Sequence, residues 1–435
     1  MIRRAALALL SLASACHPAL DRAPAAPTRA VIVPGEVLPF VHDDYPRALA
    51  EAKRLRRPLF VDSWAPWCHT CLSMRSYVLG DPSLAPLAKD FVWLAIDTEK
   101  EQNGGFVERF PNRVWPTLWV VDPEREAAIL KWEGSATAPE LLTLLASVRS
   151  GDAFARANQA AARGDVAEAE RGYRAVLAAP NDPERPRAVE ALAGVLARRN
   201  DHAACAELAA REGPALPSGT SRATVIAIGL SCARDGKRDE EEKKLVDAAE
   251  RFAADPDPRT TVDDRSALYE ELVETKKEKG DEAGAKAIAR TWASFLEREA
   301  ARAPNAEARA VFDAHRLGAY LAAGEPQRAV PMLQASERDF PDDYNPPARL
   351  ARAYLTMGKL DEARAAVDRA TARVYGPRSL RVFALAADVA KARNDVAGER
   401  SALEQALART ARAVLSEGQK KLRDDLGRRL GTLTH

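Results

Sequence analysis

Apolar and polar residues change rhythm along this chain. Between Tyr45 and Arg56 the apolar positions Ala48, Ala52 and Leu55 recur at helical spacing, and Pro58-Leu59-Phe60-Val61 then forms a short buried strand. The spacing predicts a helix opening at Cys68, a buried strand over Phe91–Ile96, strands over Thr117–Val121 and Ala127–Trp132, and a helix over Ala138–Val148. Strands interleaved with helices over about a hundred residues argue for an α/β sandwich around a central sheet. After about residue 150, strand formers become scarce and Ala, Arg and Glu dominate. Turn residues recur there at Gly164-Asp165, Asn200-Asp201, Asp235-Gly236, Gly280-Asp281, Gly324-Glu325, Gly358-Lys359 and Asn394-Asp395. Taken at 164, 200, 236, 280, 324, 358 and 394, the steps are 36, 36, 44, 44, 34 and 36 residues. Such a period reads as stacked helical hairpins, with the 44-residue units longer or irregular. Small residues stand five after most turns (Ala169, Cys205, Ala285, Ala329, Ala363) and often seven before them (Ala157, Ala193, Gly229, Ala351, Ala387). Close helix packing needs them there.

The 435 residues exceed one compact core. We read a leader over 1–15, a tether over 16–40, an α/β domain over 41–149 and helical repeats over 150–431. Lys+Arg of 64 against Asp+Glu of 63 gives a net charge of +1 with the signs interspersed, so nucleic acid is not an expected partner. Met1-Ile2-Arg3-Arg4 is a basic head, and Ala5 to Leu12 is apolar but too short to span a bilayer. Ala13-Ser14-Ala15 then precedes Cys16, which resembles the signal peptide of bacterial lipoproteins, although Ala13 stands where leucine is usual. That resemblance implies cleavage before Cys16 and its lipidation. Secretion after Ala15 is one alternative, and a cytosolic protein with an apolar start is another. Either export reading places the chain in an oxidising compartment. Pro18, Pro24, Pro27, Pro34 and Pro39 then suit an extended tether, or a disordered leader.

Five cysteines are too few for a disulfide framework, so each needs its own account. Trp64-Ala65-Pro66-Trp67-Cys68-His69-Thr70-Cys71 follows a strand and opens a helix. A cysteine at a helix start has its thiolate favoured by unpaired backbone N–H groups. In a Cys-x-x-Cys pair the first thiol attacks and the second resolves the mixed disulfide. A charged His69 would add to that bias. Half a zinc site has the same spacing, as does an inert disulfide. There is no second pair, and His17, His42, His202, His315 and His435 lie in unrelated contexts, so no metal is expected.

The stretch Phe60-Val61-Asp62-Ser63-Trp64-Ala65-Pro66-Trp67-Cys68-His69-Thr70-Cys71 resembles the active-site segment of the thioredoxin family. The resemblance implies that Asp62, six residues before the first cysteine, lies buried beneath Cys71 and moves its proton. A carboxylate at the end of an apolar strand is independently expected to be desolvated, with its pKa raised; an exposed strand-end aspartate is the alternative. Val114-Trp115-Pro116-Thr117-Leu118 resembles the family's cis-proline loop, and Gly134 matches a position where the backbone comes near the site. By this resemblance Cys68, Cys71 and Asp62 are catalytic, and Trp67, His69, Thr70, Trp115 and Pro116 contact substrate. The chain departs from cytosolic thioredoxins at His69-Thr70, at Ser76 in place of a proline, and at Trp93 in place of a lysine near the aspartate. These features are more similar to exported thioredoxin-like domains, above all the C-terminal domain of transmembrane reductases that feed electrons to the periplasm.

Gly358-Lys359-Leu360-Asp361-Glu362-Ala363 and Gly164-Asp165-Val166-Ala167-Glu168-Ala169, with Tyr173, resemble the tetratricopeptide repeat. In that register Cys205 and Cys232 face the core of neighbouring helices. They are expected as buried free thiols or, in an exported protein, as a disulfide. The whole reads as a thioredoxin-like domain followed by an all-α tetratricopeptide-like solenoid. The expected function is an exported, membrane-anchored thiol–disulfide oxidoreductase of the bacterial envelope, acting on protein disulfides and weighted towards reduction. It would need no cofactor. Its partners would be protein thiols or disulfides, an upstream membrane electron donor and proteins docked on the repeats. The alternatives are an interaction scaffold with a non-catalytic thioredoxin-like domain, and a metal chaperone using Cys68, Cys71 and His69.

Overall fold

The computed structural model describes residues 37–433. The leader, Cys16 and most of the tether lie outside the described residues. Five strands, β1 (Phe40–His42), β2 (Leu59–Trp64), β3 (Val92–Asp97), β4 (Thr117–Asp122) and β5 (Ala127–Glu133), form one sheet in the order β1-β3-β2-β4-β5. β1, β3 and β2 run parallel, while β4 and β5 are antiparallel additions. The periodicity does not reveal β1, because three residues are too short to show an alternation.

Four helices flank the sheet: α1 (Tyr45–Leu55), α2 (His69–Ser73), α3 (Gly104–Arg109) and α4 (Ala138–Ser150). Strand alternation divides β2 between the two faces. Leu59 and Val61 join Ala48, Ala52 and Phe106 on one side, whereas Phe60 joins Trp93, Met74, Leu118 and Leu141 on the other. Asp62 shares the Phe60 side, beneath the active-site segment.

From α5 (Ala153–Ala162) to α20 (Glu417–Thr432) the described residues hold sixteen α-helices. At seven hairpin turns one residue adopts positive φ: Gly164, Asn200, Lys237, Gly280, Gly324, Gly358 or Asn394. A left-handed residue ends a helix by redirecting the chain, and an aspartate then caps the next helix in several units. Asp165, Asp201, Asp281 and Asp395 each accept from the backbone N–H three residues on. In the third unit this residue is Lys237, one place after the predicted Gly236. The small positions are tight, since a Cβ on Gly172 would stand 2.6 Å from that of Ala157. Cys205 and Cys232, both buried, are joined in a disulfide between two neighbouring helices, Cα atoms 6.0 Å apart. The expectation of buried free thiols is therefore corrected to the disulfide.

The repeats fold back on the first domain. The first helices of successive hairpins are α7 (Arg185–Arg198), α9 (Thr220–Asp235), α11 (Val262–Glu278), α14 (Asp313–Ala323), α16 (Asn345–Thr356) and α18 (Ser379–Ala392). Residues at or near their N-terminal ends meet that domain. Arg187 donates to the Glu140 carbonyl (2.9 Å), the Thr220 N–H to the Glu140 carboxylate (3.1 Å), Ser135 to Asp264 (3.2 Å), and Asn345 to the Pro66 carbonyl (3.2 Å). One apolar core runs from the Phe60 face of the sheet into the repeats as far as Val389, and Phe383, Leu403 and Leu426 of the last helices form a cluster of their own. No helix among the described residues is long and apolar enough to cross a membrane.

Candidate active site

β2 ends at Trp64, and the chain turns so that Cys68 caps α2: the Cys71 N–H donates to Cys68 Sγ at 3.0 Å. Cys68 and Cys71 form a disulfide with Cα atoms 5.2 Å apart. α2 is short and widens into a π-helical turn over Met74–Val78, which holds Ser76. Trp115–Pro116 is a cis peptide, and the Gly134 N–H donates to the Pro116 carbonyl at 2.9 Å. Gly134 has φ +110°, a conformation that favours glycine.

Two tryptophans roof the disulfide. The Trp67 and Trp115 rings lie 5.2 Å apart. Trp67 Nε1 donates to Glu99 (2.7 Å), and Trp115 Nε1 donates to Thr98 Oγ1 (2.9 Å). The repeats hold this roof from behind. The Arg378 guanidinium lies 4.7 Å from the Trp67 ring centroid, the Arg378 N–H donates to Glu99, and the Tyr375 hydroxyl donates to Asp97 at 2.7 Å. Cys68 is left 4% exposed and Cys71 0%.

Asp62 is buried, and its Oδ1 has no hydrogen-bond partner. Burial pushes its pKa up to about 6, opposed by the Arg75 guanidinium. The nearby cation expected from the family's lysine, which Trp93 replaces, thus comes from the active-site segment instead. Its only sequence signal was a basic residue four places after Cys71. Asp62 also lines a cleft with Phe40, Leu79 and Gly80. Glu99 carries no motif, yet burial pushes it up to about 7 against its hydrogen bonds from Trp67 and the Arg378 backbone.

One expectation is overturned. His315 does not lie in an unrelated context: its ring centroid stands 3.8 Å from that of His69. His69 Nδ1 and His315 Nε2 both hydrogen-bond Asp263 Oδ1, at 2.9 and 3.0 Å, while the Thr70 hydroxyl donates to Asp263 Oδ2 at 2.7 Å. The middle residues of the motif are therefore tied to α11 and α14. Burial pulls the His69 imidazole down, but the Asp263 carboxylate reverses this to a net rise; burial and then His69 lower His315.

Family models match both parts of the chain. Residues 41–123 match the family described as thioredoxin-like. The first domain is thioredoxin-like. Residues 320–388 match the tetratricopeptide repeat, so the chain joins a thioredoxin-like domain to tetratricopeptide-type helices. A stretch of 60 residues is 33% identical to the thiol:disulfide interchange protein DsbD of two Vibrio vulnificus strains, covering 14% of this chain and 10% of those relatives. The chain thus matches about a tenth of their length. Solved structures similar to the helical part include a tetratricopeptide repeat protein from Parabacteroides merdae, 12% identical, covering 63% of this chain and 97% of that one at a TM-score of 0.41. The C-terminal part of a repeat protein from Cytophaga hutchinsonii is 10% identical, covering 62% and 98% at 0.34.

Proposed function

We propose that the chain is an exported thiol–disulfide oxidoreductase, tethered through a lipidated Cys16, that reduces protein disulfides. The observation that carries the chemistry is the Cys68–Cys71 disulfide at a strand-to-helix junction, with Asp62 buried on the sheet face beneath that segment. In the reduced protein the Cys68 thiolate attacks a substrate disulfide, forming a mixed disulfide and releasing one substrate thiolate. Cys71 passes its proton to Asp62 and displaces the second substrate sulfur, leaving Cys68–Cys71 oxidised and the substrate reduced by two electrons. An upstream membrane dithiol would restore the reduced pair. Trp67, His69, Thr70, Trp115 and Pro116 would meet the substrate, and the repeats would recruit protein partners.

The 4% exposure of Cys68 supports a second reading, an interaction scaffold whose dithiol stays covered. A Cys71→Ser variant expressed in the envelope separates the two. Mixed disulfides with envelope proteins, together with turnover of a model disulfide by wild type, support the enzyme. If neither is found, the scaffold reading stands.

A further inference from the structure

We propose that His69, Asp263 and His315 form a binding site for a divalent first-row transition metal, zinc above all, across the junction of the thioredoxin-like domain and the repeats. One donor atom of each residue lies within 4.8 Å of the others. Two of the separations are already 2.9 and 3.0 Å. Zinc bonds of ~2.0–2.1 Å in a tetrahedral site require edges of roughly 3.3 Å between ligand atoms, so those two edges need open only by a few tenths of an ångström. Imidazole and carboxylate together suit zinc, cobalt and nickel better than magnesium or calcium.

The surroundings support the donors. Asp263 and His315 are buried on helices, and the Thr70 hydroxyl holds the second oxygen of Asp263, as an outer hydrogen bond does for a ligating carboxylate. Three protein ligands leave a fourth position for water on the side of His69, whose side chain is 34% exposed. The Arg349 charge works against a cation here, and Glu270 works for it, both acting on His69. Since His69 follows Cys68 directly and the other two ligands belong to α11 and α14, a bound ion would pin the dithiol segment to the repeats. Cys68 and Cys71 need not ligate.

The test uses oxidised full-length protein, stripped with chelator, so that Cys68 and Cys71 are unavailable as ligands. Isothermal titration with Zn²⁺ should show one equivalent bound, and Co²⁺ should give visible d–d absorption. His315→Gln and Asp263→Asn should abolish that site, and Thr70→Val should weaken it by roughly tenfold or more. Failure of oxidised wild type to bind stoichiometrically overturns the proposal and needs no variant. So does binding that folded His315→Gln protein, checked by circular dichroism, retains unchanged. Neither readout depends on oxidoreductase activity.

Discussion

Replacing Asp62 by asparagine tests the electrostatics beneath the dithiol most directly. In the folded chain this carboxyl is 1% exposed, one oxygen has no partner, and its pKa stands at about 6 against 3.8. That difference corresponds to about 3 kcal/mol between the charged and neutral forms. A raised carboxyl favours the folded state fully below its unfolded pKa and loses that contribution as pH rises through the folded value. Wild type should therefore give up roughly 2–2.5 kcal/mol from this group between pH 4 and pH 7, while Asp62→Asn does not. The buried amide of the variant has its own cost of about 1–3 kcal/mol, which is independent of pH. The diagnostic is consequently the slope of the difference. Denaturant unfolding of the oxidised proteins, followed by circular dichroism and tryptophan fluorescence at several pH values, should show the variant gaining on wild type up to about pH 7 and then running parallel. A difference that stays flat across this range refutes the argument that Asp62 is desolvated and poorly compensated by Arg75. The same variant should slow disulfide exchange by roughly a hundredfold if Asp62 moves the Cys71 proton.

Gly376 has φ +61°, and a Cβ there would stand 2.0 Å from the Glu99 carbonyl oxygen, so Gly376→Ala should loosen the hold on Trp67. Alkylation of Cys68 in the reduced variant should run at least about tenfold faster than in wild type, for a clash and strain of 2 kcal/mol or so; equal rates would mean that this contact does not cover the dithiol. Replacing both Cys205 and Cys232 by alanine removes a crosslink over a separation of 27 residues and should cost about 3–4 kcal/mol, read as a lower denaturation midpoint. Glu190, buried near Glu140 and Asp264, has its pKa raised to about 8 from 4.5, chiefly by burial. Its contribution should fade as pH rises from about 4.5 to 8, and Glu190→Gln should flatten that decline in calorimetric stability.

Local chemistry in the sequence accounts for much of this molecule. The dithiol at a strand-to-helix junction, the proline before β4, the left-handed turn residues and the small packing positions all arise from constraints within a few residues of one another, which periodicity and spacing record. β1 escaped because three residues cannot show an alternation. Arg75 as the cation facing Asp62, and Glu99 as the acceptor for Trp67, needed the sheet and the active-site segment to be brought together. The largest gap is His69, whose partners Asp263 and His315 lie on α11 and α14; the Asp263 contact spans 194 residues of sequence. Contacts at 278 and 279 residues likewise tie Tyr375, Arg378 and Asn345 to the domain that carries the cysteines. No periodicity encodes such pairs, because each helix in the stack is specified by its own turn and its own apolar stripe. The chain alone thus determined that a redox-type dithiol precedes a helical array. Only the tertiary structure decided that the array closes over it, since that depends on how small rotations between neighbouring hairpins accumulate along the stack.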